Sequence, residues 1–84
     1  MLKIYGSMQC PDCVKCREEL DQAGIPYQYL DFSDDLRNLK EFLALRDTHS
    51  AFEIAKREGY IGIPCIIDDS GIVTLDWSDY VGQA

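Results

Sequence analysis

The stretch Met8-Gln9-Cys10-Pro11-Asp12-Cys13-Val14-Lys15-Cys16 decides how the chain is read. It follows a short apolar segment, Leu2 to Gly6, and opens a pattern in which Cys13, Cys16, Leu20 and Ala23 recur at helical spacing. Cys10 and Cys13 therefore stand at a helix start. The first helical N–H groups have no intrahelical partner, and the macrodipole places about half a positive charge there. A sulfur at that end is favoured as the thiolate, the form that attacks disulfides and binds metals. Pro11 suits the first helical position, where a missing N–H costs no hydrogen bond and the ring presets φ. At a rise of roughly 1.5 Å per residue, Cys10, Cys13 and Cys16 descend one side of the helix. Cys10 is expected outermost, as the exposed nucleophile, with Cys13 beneath it within disulfide reach and Cys16 deeper.

Working outward, the helix runs to about Ala23, closes at Gly24 and is followed by Pro26. Leu2 to Gly6 alternates as a buried first strand does, and Tyr27 to Phe32 supplies a second, aromatic-rich strand. Together they predict a right-handed parallel βαβ unit. Ser33-Asp34-Asp35 is an acidic helix start, and Leu36, Leu39, Phe42 and Leu43 predict an apolar stripe ending near Arg46. Asp47 to Ser50 interrupts it. Ser50 and Glu53 match a capping box, so a separate short helix is expected from Ala51 to Glu58, with Phe52, Ile54 and Ala55 inward and Gly59 at its end. Ile61 to Ile67 returns to β character, and Asp68-Asp69-Ser70-Gly71 turns it into Ile72 to Leu75, a terminal hairpin. Asp76 to Ala84, with Trp77 and Tyr80 as anchors, is long enough for a short helix or turn over the sheet.

With 84 residues the chain is expected to be one domain spanning 1–84 that folds without structural disulfides. Apolar content of 46% with 11% aromatics argues against disorder. The excess of 15 acidic over 8 basic residues, net −7, disfavours nucleic acid and anionic membranes as partners. Of the 4 cysteines, Cys10, Cys13 and Cys16 crowd together, which points to chemistry rather than stapling. No charged and apolar leader precedes the first strand, and no run approaches the roughly 18 apolar residues that span a bilayer. A cytoplasmic, soluble protein is the expectation.

A βαβ unit with Cys10-Pro11-Asp12-Cys13 at its first helix, a helical middle, an Ile63-Pro64 hairpin and a short tail resembles a glutaredoxin of the thioredoxin superfamily. The resemblance is close from Met1 to Tyr27, where family members usually carry Cys-Pro-Tyr-Cys, and resumes from about Phe52 to Ile67, where they carry Thr-Val-Pro. It implies a thioredoxin-like α/β fold with a four-stranded mixed sheet. It also implies a thiol-disulfide oxidoreductase acting on protein or low-molecular-weight disulfides. Cys10 would attack, Cys13 would resolve, and Pro64 would be cis and face the dithiol, with Pro11, Asp12 and Ile63 also contacting substrate. The same resemblance implies a monomer without a tightly bound cofactor, drawing electrons from glutathione, another thiol or a reductase. The chain departs from the family at Asp12, in place of the usual aromatic residue, and at Ser7, where a lysine is common. Gly62 replaces the threonine, no Gly-Gly-x-Asp follows the hairpin, and the stretch from Asp34 to Thr48 is longer than usual.

Other readings of the same residues stay open in the sequence. Cys10, Cys13 and Cys16 reproduce three ligands of a ferredoxin-type run, and Cys65 could supply a fourth thiolate to zinc or an iron–sulfur cluster. The spacing to Cys65 breaks that run, and a buried free cysteine behaves as a small hydrophobe, so no metal is expected. Cys16 and Cys65 are then core residues or accessory thiols. A thioredoxin-fold interaction domain, docking through the long helical insert, is the third reading. Lys15 and Arg17 read as solvated charges, and His49, in a polar break, reads as a surface or capping residue.

Overall fold

The computed structural model describes residues 1–82; Gln83 and Ala84, the end of the expected tail, lie outside the described residues. Strand β1 (Leu2–Gly6) leads into helix α1 (Pro11–Gln22) and strand β2 (Tyr27–Asp31). Helix α2 (Leu36–Thr48), a 3-10 turn (Ser50–Phe52) and helix α3 (Glu53–Glu58) form the middle, followed by β3 (Cys65–Ile67), β4 (Val73–Thr74) and helix α4 (Ser78–Val81). The strands form one mixed sheet in the order β2-β1-β3-β4. β1 pairs with β2 in parallel, and β3 is antiparallel to both β1 and β4. This is the thioredoxin-like α/β arrangement that the βαβ unit and terminal hairpin predict.

Side chains alternate across β1 and β3 and so build two cores. Leu2, Ile4 and Ile66 meet Cys16 and Leu20 of α1, with Trp77, Tyr80 and Val81 of the tail packed against them. Tyr5 and Cys65, paired across the ladder, meet Phe42 of α2 and Phe52 of the 3-10 turn. The Phe42 and Phe52 rings stand edge to face, 5.6 Å apart. Trp77 and Tyr80 thus anchor the tail, as expected.

Several expectations are corrected in the helical middle. The stripe of α2 is narrower than predicted: Phe42 is fully buried, whereas Leu36 and Leu43 are exposed. The four positions span only about 120° of the helix, but the inward line is centred on Phe42, with Leu39 and Leu45 beside it, and Leu36 and Leu43 lie about 120° and 100° around from Phe42. The helix also runs to Thr48, past Arg46. The Ser50–Glu53 capping box does not form. His49 takes the extended cap conformation, and its Nδ1 accepts the Ala51 N–H at 3.0 Å, which places Ser50 inside the 3-10 turn. Phe52 and Ala55 are buried, but Ile54 is 61% exposed because it lies between two inward positions on the opposite side of the turn.

The return to β structure is shorter than Ile61 to Ile67. Pairing begins only at Cys65, because Gly62 sits at φ 94° and Pro64 has no N–H to offer the ladder. The hairpin partner is likewise trimmed to Val73–Thr74. Its turn is held by the Asp68 carboxylate, which accepts the N–H groups of Ser70 and Ile72.

Candidate active site

α1 begins where the sequence places it. Cys10 is the N-cap residue, in extended backbone conformation, and Pro11 opens the helix. The Cys10 N–H donates to Ser7 O at 3.0 Å and its carbonyl accepts the Val14 N–H at 3.1 Å, so the loop before the helix is tied down on both sides of the sulfur. Cys10 is partly exposed, and Cys13 is fully buried. Both are free thiols.

Cys10 opens onto a groove of about 360 Å³ whose lining includes Asp12, Gly62, Ile63 and Leu75. The Ile63–Pro64 bond is cis, as the resemblance implies. The groove therefore brings Cys10, Asp12 and Ile63 together. Pro64 is buried behind its lining and Pro11 is exposed at the helix start.

Beneath the groove, Cys13 packs against the backbone of β1. A Cβ on Gly6 would stand 2.8 Å from Cys13 Sγ and equally close to the Tyr29 hydroxyl, so the sulfur and the phenol share the space that glycine leaves. Burial pushes the Cys13 thiol up from its ordinary value to about 12, and proximity to Cys10 adds to this. The Ser7 backbone and the Tyr29 hydroxyl act in the opposite direction. Cys13 is consequently held as the protonated thiol near neutral pH, close against Cys10.

Tyr29 and Arg17 belong to this site although the sequence did not single out Tyr29 and treated Arg17 as solvated. The Tyr29 hydroxyl is buried and has no partner in hydrogen-bond geometry; it meets the Cys13 sulfur without forming one. Burial, then the neighbouring Cys13, pushes the phenol above its ordinary range. The Arg17 guanidinium stacks over the Tyr29 ring at 4.6 Å, donates to the Tyr27 hydroxyl at 3.3 Å and reaches Met8 Sδ at 3.0 Å. It thereby links α1, β2 and the loop before Cys10. The spacing of Arg17 from Cys13 and Cys10 by four and seven residues is the only signal that could have placed it on the same helix face.

Cys16 and Cys65 lie elsewhere. Their sulfurs are buried in the two cores, on opposite faces of the sheet, and desolvation pushes both thiols up to about 12. Among the described residues no three His, Cys, Asp or Glu side chains group so as to hold a metal ion. Nor is any described helix long and apolar enough to cross a membrane.

The Glutaredoxin family model matches residues 2–69, which contain the βαβ unit, the helical middle and β3. The chain belongs to the glutaredoxin family. An uncharacterized protein of Haemophilus influenzae is 41% identical to this glutaredoxin over 75 residues, covering 89% of this chain and 87% of its own length. No solved structure matches the chain.

Proposed function

We propose that this glutaredoxin is a cytoplasmic thiol-disulfide oxidoreductase that reduces protein or low-molecular-weight disulfides through Cys10 and Cys13. The observation that carries this reading is the stacking of one partly exposed cysteine at a helix N-cap directly over a buried, protonated one.

The Cys10 thiolate attacks one sulfur of a substrate disulfide. That S–S bond breaks, one substrate sulfur leaves as a thiolate that takes a proton from water, and a mixed disulfide forms at Cys10. Cys13 then gives up its proton, its sulfur attacks Cys10 Sγ, and the second substrate sulfur departs. The substrate has gained two electrons and the protein ends as the Cys10–Cys13 disulfide. A thiol donor such as glutathione, or a reductase, returns it to the dithiol by the same exchange in reverse. The burial that keeps Cys13 protonated prevents it from competing with Cys10 for the incoming disulfide.

Single Cys10→Ser and Cys13→Ser variants test the roles. Cys10→Ser is expected to lose reduction of a small disulfide altogether. Cys13→Ser is expected to accumulate a mixed disulfide with the substrate, visible by mass spectrometry. Undiminished turnover in both variants would refute the assignment. Separate burial of Cys16 and Cys65 in the two cores supports this reading over a four-thiolate metal module.

A further inference from the structure

The groove at Cys10 does not end at the dithiol. A second hollow of about 410 Å³ continues from it between α3 and β4, and the two share Ala55, Tyr60 and Leu75 in their linings. The walls are almost wholly apolar, and the side chains of Ile54, Tyr60 and Ile61 stand more than half exposed on this side of the molecule. Charged residues enter the linings only as carboxylates, Asp12 in the first hollow and Asp76 in the second. Asp76 accepts from the Ser78 N–H and hydroxyl, which holds its carboxyl below the usual range and therefore ionised. No lysine or arginine is in either lining.

The wall is also set in advance. Arg46 donates to the carbonyls of Ile61 and Tyr60, both at 2.7 Å, and the Tyr60 N–H donates to Ala55 O at 2.8 Å. The Arg46 cation is thus spent on backbone behind the groove rather than offered to a ligand in it.

A small dicarboxylate thiol such as glutathione finds no cation here, and it meets Asp12 beside the sulfur that it must reach. A preformed, elongated apolar trough fits a different occupant. We propose that this groove binds an extended polypeptide segment, apolar where it lies along α3 and bearing lysine or arginine at its flanks, and presents that segment's cysteine sulfur to Cys10. The flanking cations complement Asp12 at one end and Asp76 at the other, within a protein of net charge −7. The inference rests on the role proposed for Cys10 and narrows its substrate to polypeptide disulfides. Exchange proceeds as written above, with the peptide's sulfur as the one attacked and its partner thiol released.

Binding is measured first, so that the groove is tested without the chemistry. Two fluorescent peptides share an apolar core in which the cysteine is replaced by serine, one flanked by lysines and one by glutamates. The lysine-flanked peptide is expected to bind the wild-type protein at least tenfold more tightly at low salt, with the gap closing in high salt. Asp12→Asn and Asp76→Asn are each expected to narrow that gap, and Tyr60→Ala to weaken both peptides while the far-UV spectrum stays unchanged. Steady-state reduction of the corresponding mixed disulfides, with dithiothreitol as recycling reductant, is expected to give the same ranking in kcat/KM, with the glutathione mixed disulfide the slowest. Equal binding of the two peptides, or fastest reduction of the glutathione mixed disulfide, would overturn the proposal. Failure to reduce even hydroxyethyl disulfide, with peptide discrimination intact, would instead overturn the role of Cys10 and leave the groove's preference standing.

Discussion

Two glycines wall the site from opposite sides, and each lacks a side chain for a different reason. A Cβ on Gly6 would collide with Cys13 Sγ and the Tyr29 hydroxyl, the ends of two polar side chains. A Cβ on Gly62 would meet two atoms of the Phe52 ring, at 2.8 and 2.9 Å, and the residue holds φ 94°. Phe52 is fully buried against Phe42 and cannot retreat. The difference separates two jobs within one site. On the β1 side the missing methyl admits a buried thiol and a phenol to the backbone; on the Ile63–Pro64 side it admits the aromatic core. Chemistry is set on the first wall, and stability on the second.

The largest expected effect attacks the second wall. Gly62→Thr installs the residue common elsewhere in the family, yet here it places a β-branched side chain in the left-handed region and against a fixed ring. Backbone strain and overpacking together predict a loss of about 3–5 kcal/mol in urea unfolding. A loss below about 1 kcal/mol would erase the contrast. Gly6→Ala is expected to cost less, about 1–3 kcal/mol, because Gly6 does not hold a left-handed backbone and only overpacking opposes the added methyl. Its signature lies in function: the displaced Cys13 should slow release of substrate from the Cys10 mixed disulfide by more than the stability loss explains, as followed by stopped-flow mixing.

These walls were only partly legible in the sequence. Helix start, proline and cysteine spacing are local signals, and they located Cys10, Cys13 and the βαβ unit, whereas the cis Ile63–Pro64 bond was implied only by the family resemblance. The departure at Gly62 was visible as a missing threonine, but its cause was not, since Phe52 reaches it through a 3-10 turn that replaces the expected capping box. Tyr29 looked like one aromatic among several in a strand. Its meeting with Cys13 depends on the parallel register that sets Tyr29 beside Ile4 and on the absent side chain of Gly6, both of which are tertiary facts. Ile54 and Leu36 misled for the reverse reason: apolar type predicts burial on average, and individual exposed apolar side chains are ordinary.

A pH titration of stability sharpens the contrast further. Cys13, Cys16 and Cys65 are all pushed from 9.0 to about 12, in each case chiefly by burial. A raised folded-state value means that the native fold favours the neutral thiol. That contribution is full below about pH 9 and is lost progressively as pH rises from about 9 toward 12, where unfolded thiols ionise first. The unfolding midpoint is expected to hold steady up to about pH 8.5 and then fall. Cys16→Ala should flatten the fall, and should cost about 1–2 kcal/mol at neutral pH through the small cavity it leaves among Leu2, Ile4 and Leu20. A midpoint that stays level through about pH 10 would contradict the burial account.

Tyr29→Phe carries the smallest expected effect and discriminates most sharply between the walls. The ring remains, so the stacking of Arg17 at 4.6 Å and the packing on the core remain with it. The lost hydroxyl was buried without a formed hydrogen bond, so its removal should leave the fold no less stable. Cys13, however, loses one of the two contacts that oppose its desolvation. Its thiolate fraction at neutral pH falls, and the rate of resolution, which follows that fraction, falls with it. The expected result is a twofold to fivefold slower second step at pH 7, with the pH profile displaced upward by about 0.3–0.7 unit and the first attack by Cys10 unchanged. Cys16→Ala, three residues along the same helix, should leave that profile where it is, because none of its contacts oppose the burial of Cys13. If Tyr29→Phe also leaves the profile unmoved, or moves it downward, then the β1 wall merely packs a sulfur, and the division of labour between the two glycines fails.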